Sequence, residues 1–184
     1  MLTLDFSSFP VLTTSRLTLR QLRPSDAAEL FGMRSNPEVM KYIPRPLAQN
    51  HEDVVNLINL INEMVEQNKA INWGITLTGI DKVIGTIGYV RMKPEHYRAE
   101  IGYMLDPAYH RMGIMQEAVA TVITYAFHTL KLHSIEAVID PGNIASARLL
   151  QNNHFVKEAS FKENEYYEGR FLDTDVYCLL NPAG

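Results

Sequence analysis

The chain has 184 residues, a formal net charge of −4, 46% hydrophobic residues and 21% charged residues, enough apolar surface for one sizeable core and too much for a disordered chain. It carries no basic excess of the kind that neutralises a phosphate backbone, so direct nucleic-acid binding is not expected. A single cysteine, Cys178, excludes an internal disulfide, and the start of the chain, with Asp5 and no basic segment, does not read as a secretory signal. The expectation is therefore one cytoplasmic domain spanning residues 1–184, with no membrane segment.

In chain order, residues 11–22 alternate Leu17 and Leu19 with Arg16, Thr18 and Arg20, the period-two pattern of a half-buried strand. Pro24-Ser25-Asp26 then opens a helix over 27–34, with Ser25 or Asp26 placed to cap it, and Asn36-Pro37 stops it. Over 49–67, Val54, Leu57, Ile58, Ile61, Met64 and Val65 recur at helical spacing and mark one face as core. Strands are predicted over 70–77 and 83–91, joined by the turn Thr78-Gly79-Ile80-Asp81 as an antiparallel hairpin, and over 99–105, ending at Asp106-Pro107. Met115, Ala118, Val119, Val122, Ile123, Ala126 and Phe127 define the clearest amphipathic helix, interrupted by polar residues and so unlike a membrane span. A strand over 134–139, a short helix over 144–152 and strands over 156–162 and 171–180 complete a mixed α/β domain without repeats.

The stretch from Ala99 to Ala118 is a strand, a sharp turn and a helix. A glycine-bearing loop feeding a helix N-terminus gathers backbone N–H groups where the helix dipole favours negative charge, an arrangement suited to an anion such as a pyrophosphate. Gly113 lets the backbone come close, and Arg111 adds a charge-assisted contact. An ordinary turn has the same local sequence. No histidine pair has metal-ligand spacing, since His128 and His133 stand five apart, and neither a phosphate-binding Gly-Lys-Ser/Thr loop nor a nucleophile elbow occurs. No metal is expected.

The chain resembles the GNAT superfamily, and within it the RimJ/RimL-like ribosomal-protein N-acetyltransferases, over nearly its whole length. The resemblance rests on Thr14-Ser15-Arg16-Leu17-Thr18-Leu19-Arg20, on Ala99 to Pro107 with Gly113-Ile114-Met115-Gln116-Glu117-Ala118, on Asn143-Ile144-Ala145-Ser146 and on Asn153-His154-Phe155. It implies the GNAT fold, α/β (α+β): a mixed, mostly antiparallel twisted sheet of about seven strands flanked by about four helices, with acetyl-CoA in a splay between the fourth and fifth strands. It further implies that Met104, Leu105, Arg111, Met112, Gly113, Ile114, Met115, Gln116, Asn143 and Ser146 meet this cosubstrate, Asn143 along the pantetheine arm. The superfamily loop reads Arg/Gln-x-x-Gly-x-Gly/Ala, whereas His110 and Met115 stand at its outer positions here, and neither change removes a backbone donor.

Acetylating an amine needs a neutral amine, a polarised thioester and a proton for the departing thiolate. Many superfamily members place a tyrosine acid where this chain has Leu150. The RimL-like pattern instead implies Ser146, nine residues before Phe155, as the acid, and Glu165, ten residues after it, as the base. Asn143 to Ser146 also reads as a helix start and Lys162 to Gly169 as a solvated hairpin end. Glu100 is the rival base, sharing one face of its strand with Gly102 and Met104. The acceptor implied is a protein or peptide α-amine, such as a ribosomal-protein N-terminus. The alternatives are a small amine (polyamine, amino acid or antibiotic), or a non-catalytic acyl-CoA-binding sensor. The chain is expected to act as a monomer or homodimer.

Overall fold

The computed structural model describes residues 1–183. Its strands are β1 (Leu12–Thr13), β2 (Leu17–Gln21), β3 (Ile71–Leu77), β4 (Ile80–Lys93), β5 (Arg98–Leu105), β6 (Ser134–Ile139), β7 (Val156–Tyr167) and β8 (Arg170–Leu180). Its helices are α1 (Ala27–Arg34), α2 (Pro37–Met40), α3 (His51–Glu66), α4 (Ile114–His128) and α5 (Ile144–Asn152). The strands form one sheet in the order β1-β2-β3-β4-β5-β6-β8-β7, antiparallel throughout except at β5 and β6. This is the mixed, mostly antiparallel fold expected, with one strand and one helix more.

Both additions have local causes. The strand expected over 11–22 breaks because the Thr14 hydroxyl accepts from the N–H groups of Arg16 at 3.2 Å and Leu17 at 2.9 Å, fixing a turn between β1 and β2. Helix α2 forms where a stop was expected, since Pro37 is preset for a first helical position and the Asn36 side chain accepts from Glu38 N–H at 2.9 Å. Asp26 does not cap α1. Its carboxylate instead holds the buried Arg20 guanidinium at 2.8 and 2.9 Å. The polar run read as a hairpin end is strand almost throughout, and only Glu168 and Gly169, at φ 46° and 82°, make the turn.

The sheet has a different cover on each face. On one, the α4 stripe of Met115, Ala118, Val119, Val122 and Ala126 packs on Trp73, Ile87, Tyr89, Ala99 and Ile101. On the other, Leu30 and Met33 of α1 and Val54 and Ile58 of α3 enclose Val83 and Met104. A reciprocal cap starts α3, with Asn50 Oδ1 accepting from Asp53 N–H at 3.0 Å and the Asp53 carboxylate accepting from Asn50 N–H at 3.3 Å.

The pairing of β5 with β6 is short. Only Arg98↔Ser134, Ala99↔Ile135 and Glu100↔Glu136 are in register. Beyond them β5 stays on β4 as far as Gly85↔Leu105, and β6 stays on β8 as far as Ile139↔Asp175. The two halves of the sheet part there and leave a wedge. The strand behind it is packed to contact: a Cβ at Gly88, across from Gly102, would lie 2.2 Å from the Ile71 carbonyl oxygen and 2.6 Å from Asn72 Cα. Neither of these is the movable end of a side chain. Gly88→Ala is therefore expected to force β3 and β4 apart and destabilise the fold by ~1–3 kcal/mol or more, read as a lower midpoint in thermal unfolding.

Candidate active site

The wedge opens towards the N-terminus of α4. That end is uncapped by any described side chain, and its N-cap, Gly113, is left-handed at φ 73°. Arg111, two residues earlier, is left-handed at φ 62°. The turn aims consecutive main-chain donors into one concavity, and the first-turn N–H groups of a helix have no carbonyl of their own. A Cβ at Gly113 would meet only Arg16 Nη2, at 3.4 Å. Arg111 and Met112 are exposed, Gln116 is half-buried, and Ile114 and Met115 turn into the core beneath. Backbone donors, an exposed guanidinium and a positive helix end fit an anion well.

Inside the wedge, β5 meets α5. Asn143 caps that helix, its Oδ1 accepting from Ser146 N–H at 3.1 Å. The Ser146 hydroxyl is thereby fixed and hydrogen-bonds the Tyr103 hydroxyl at 2.6 Å, joining the two arms of the wedge. Burial pushes the Tyr103 phenol up to about 12, while the bond from Ser146 pulls it the other way. Leu150 is wholly buried and aliphatic, so no acid stands at that position. Tyr103 lies within the stretch that carries the family resemblance, which assigns it no role. The only signal for it is alternation, which turns it to the α4 and α5 face, opposite Glu100, Gly102 and Met104.

Met104 and Leu105 lie on different faces. The Met104 side chain packs among α1 and α3, while Leu105 leans on the α4 cluster. The structure therefore does not bring Met104's side chain to the anion loop. What Met104 offers the wedge is backbone.

Glu100 belongs to the last pair before the strands part. It is mostly buried and accepts from Arg91 Nη1 at 3.2 Å. Burial raises its pKa above the ordinary glutamate range, Arg91 and Lys93 oppose the rise, and Glu136 and Glu165 add to it. Glu165 is thus within charge reach of Glu100, although β7 and β5 are not neighbours in the sheet. It sits half-buried on β7, paired with Leu172, just after a bulge at which Glu163 is left-handed at φ 51°. The two candidate bases are thus within charge reach of each other, and Glu100 lies on the face of β5 opposite the Tyr103–Ser146 pair. Tyr167, two residues along β7 from Glu165, faces Arg34 and Arg45. Arg34 lines a groove of about 400 Å³ with Leu47, Asp53 and Leu57, and burial and Arg45 together lower its pKa. Among the described residues, no three His, Cys, Asp or Glu side chains gather as a metal site, and no helix is long and apolar enough to cross a membrane.

Residues 16–156 match the family described as Acetyltransferase (GNAT) domain. The chain is 36% identical over 174 residues to YoaA, an uncharacterized N-acetyltransferase of Bacillus subtilis, covering 95% of this chain and 98% of that one. A solved GNAT-family acetyltransferase from Bacillus anthracis superposes with a TM-score of 0.84 at 28% identity, over 94% of this chain and 99% of that one. RimL, the ribosomal L7/L12 alpha-N-protein acetyltransferase solved with coenzyme A, superposes with a TM-score of 0.84 over 95% of this chain and 100% of that one. At 20% identity, that last likeness is one of fold.

The Tyr103–Ser146 bond has a measurable worth. Ser146→Ala leaves a buried phenol without its partner and is expected to cost ~1–3 kcal/mol in denaturant unfolding. Adding Tyr103→Phe removes the stranded hydroxyl, so the double variant should recover part of that loss. Strictly additive costs would mean that the two hydroxyls do not interact.

Proposed function

The chain belongs to the GNAT acetyltransferase family, and from that premise we propose that it moves acetyl from acetyl-coenzyme A to a primary amine, the α-amine of a protein or peptide of the ribosomal-protein type. The observation that carries the reading is the wedge between β5 and β6 with an uncapped α4 at its mouth. That mouth suits the pyrophosphate, held by the N–H groups of residues 113 to 116 with Arg111 beside them. Unpaired backbone along β5 past Glu100 and the Asn143 amide nitrogen, whose oxygen partner is already used by Ser146, suit the amide-bearing arm. Bound there, acetyl-CoA supplies an activated acyl carbon and a thiolate leaving group.

The chain's own groups then divide the protons. Glu165, backed by Glu100, takes the proton that the amine nitrogen sheds as its bond to carbon forms, directly or through one water. Ser146 gives its hydroxyl proton to the sulfur as the carbon–sulfur bond breaks and takes one from Tyr103, which regains a proton from the solvent to which Glu165 releases its own. An α-amine titrates near ~7.7–8.0 and a lysine amine near ~10.4, so an α-amine asks less of a half-exposed carboxylate. Likeness of fold to RimL supports a protein acceptor, which would place the reaction in the cytoplasm. A second reading, a small amine bearing an anionic group, is favoured by Arg34, which lines its groove beside Asp53 yet forms no ion pair among the described residues, and by Arg45 near it.

A panel of acceptors with acetyl-CoA, read by thiol release, tests both. N-terminal peptides should be turned over and the same peptides with blocked α-amines should not. Turnover confined to small anionic amines would select the second reading. For the base, Glu165→Ala should lower kcat about 10²–10⁴-fold with donor binding retained, and raising the pH to about 9 should partly restore it as the amine loses its proton unaided. Glu100, whose pKa burial raises, is the rival. If Glu100→Ala alone shows the loss and the rescue, the base is Glu100.

A further inference from the structure

We propose that Arg16 is a positioning residue for the donor: it sets the anion loop in its binding conformation by holding the loop's carbonyls from behind. The proposal rests on the donor's pyrophosphate lying at the N-terminus of α4. Arg16 is in the turn before β2, far from the loop in sequence, yet its guanidinium makes three contacts there. Nε donates to Glu117 Oε2 at 2.6 Å, Nη1 to the Met112 carbonyl at 2.9 Å, and Nη2 to the Gly113 carbonyl at 3.3 Å.

In a trans peptide the C=O and the following N–H point in opposite directions. Fixing the Met112 carbonyl towards Arg16 therefore points the Gly113 N–H away from it, and fixing the Gly113 carbonyl does the same for the Ile114 N–H. These are the donors at the mouth of the wedge. Without the clamp, the 111–113 turn, with two left-handed residues and exposed side chains, would have to be ordered by the ligand, and binding would bear that entropy.

The clamp is itself anchored. Glu117, on the first turn of α4, receives the Arg16 side chain on one oxygen and the Thr14 hydroxyl on the other. The Thr14 hydroxyl, chiefly, and then Arg16 hold the Glu117 carboxyl below the usual glutamate range, so the anchor persists through neutral pH and loosens only in acid. Glu117 also offsets the charge of Arg16, so the arginine acts by geometry more than by field. A lysine cannot reproduce this, because one ammonium does not reach three partners in a plane. A glycine at 113 leaves room for the guanidinium behind it.

The test compares two donors, acetyl-CoA and acetyl-pantetheine, which lacks the pyrophosphate, with one amine acceptor. In the wild-type enzyme acetyl-CoA should have the much lower KM. If the two donors are equal there, the pyrophosphate reading itself fails, independently of Arg16. Arg16→Met is expected to raise the acetyl-CoA KM about tenfold or more with kcat nearly kept, and to leave kcat/KM for acetyl-pantetheine unchanged. Arg16→Lys should behave like Arg16→Met. Glu117→Gln, which frees the arginine's charge but loosens its anchor, should also weaken acetyl-CoA, and it remains as a probe if Arg16→Met does not fold. An unchanged acetyl-CoA KM in folded Arg16→Met, full rescue by Arg16→Lys, tighter binding in Glu117→Gln, or an equal loss with both donors would each overturn the proposal.

Discussion

Three residue pairs, ending at Glu100 and Glu136, hold β5 to β6 before β5 turns away with β4 and β6 with β8. Past that point each strand presents an edge of N–H and C=O groups with no strand opposite, and buried backbone groups need partners. A sheet that parts in its middle is therefore either a defect or a receptacle. The apex is pinned by charge: Glu136 of β6 is held by Lys93 of β4 at 2.9 Å and Arg98 of β5 at 2.9 Å, and Glu100 by Arg91 of β4 at 3.2 Å. These cations lie at the apex, and beyond it no ion pair ties β5 to β6 among the described residues.

The parting also divides the chemistry. Period-two alternation along β5 sends Tyr103 to the face of α4 and α5 and Glu100 to the opposite face, so the two titratable groups on one strand sit in separate surroundings. Burial raises both pKa values. The phenol holds its proton more tightly, while the carboxylate takes one up more readily. This separation needs only one strand with both faces covered differently.

Much of this was legible in the sequence because it is periodic. The α4 stripe places that helix to within a residue of its start, and the loop before it is marked by Gly113, the only residue type that takes φ 73° freely. The break at Thr14 was not legible, because alternation continues through Arg16 and only the Thr14 hydroxyl and the distant Glu117 show that the chain turns. The outer half of β7 was missed for the opposite reason. It is an edge strand exposed nearly throughout, so its residues alternate in nothing, and its strand character comes from β8. Tyr103 was missed because a tyrosine on a half-buried strand looks like core until Ser146, 43 residues later, is brought to it. The side-chain direction of Met104, which the family resemblance leaves open, is set by α1 and α3.

The turn before α5 is tied to a loop from a distant part of the chain. The turn leading into α5 is stiffened by Asp140, whose side chain accepts from Gly142 N–H at 2.7 Å and whose carbonyl accepts from Asn143 N–H at 2.9 Å. Tyr42, on the loop after α2, packs against that turn so closely that a Cβ at Gly142 would lie 3.4 Å from its ring. Asn143 then fixes Ser146. The loop at Tyr42 is thus two contacts from the Ser146 hydroxyl. Close-packed contacts transmit displacement rather than absorb it. A displacement of the loop at Tyr42 would therefore be carried through Gly142 and Asn143 to the N-terminus of α5, and with it to the Ser146 hydroxyl.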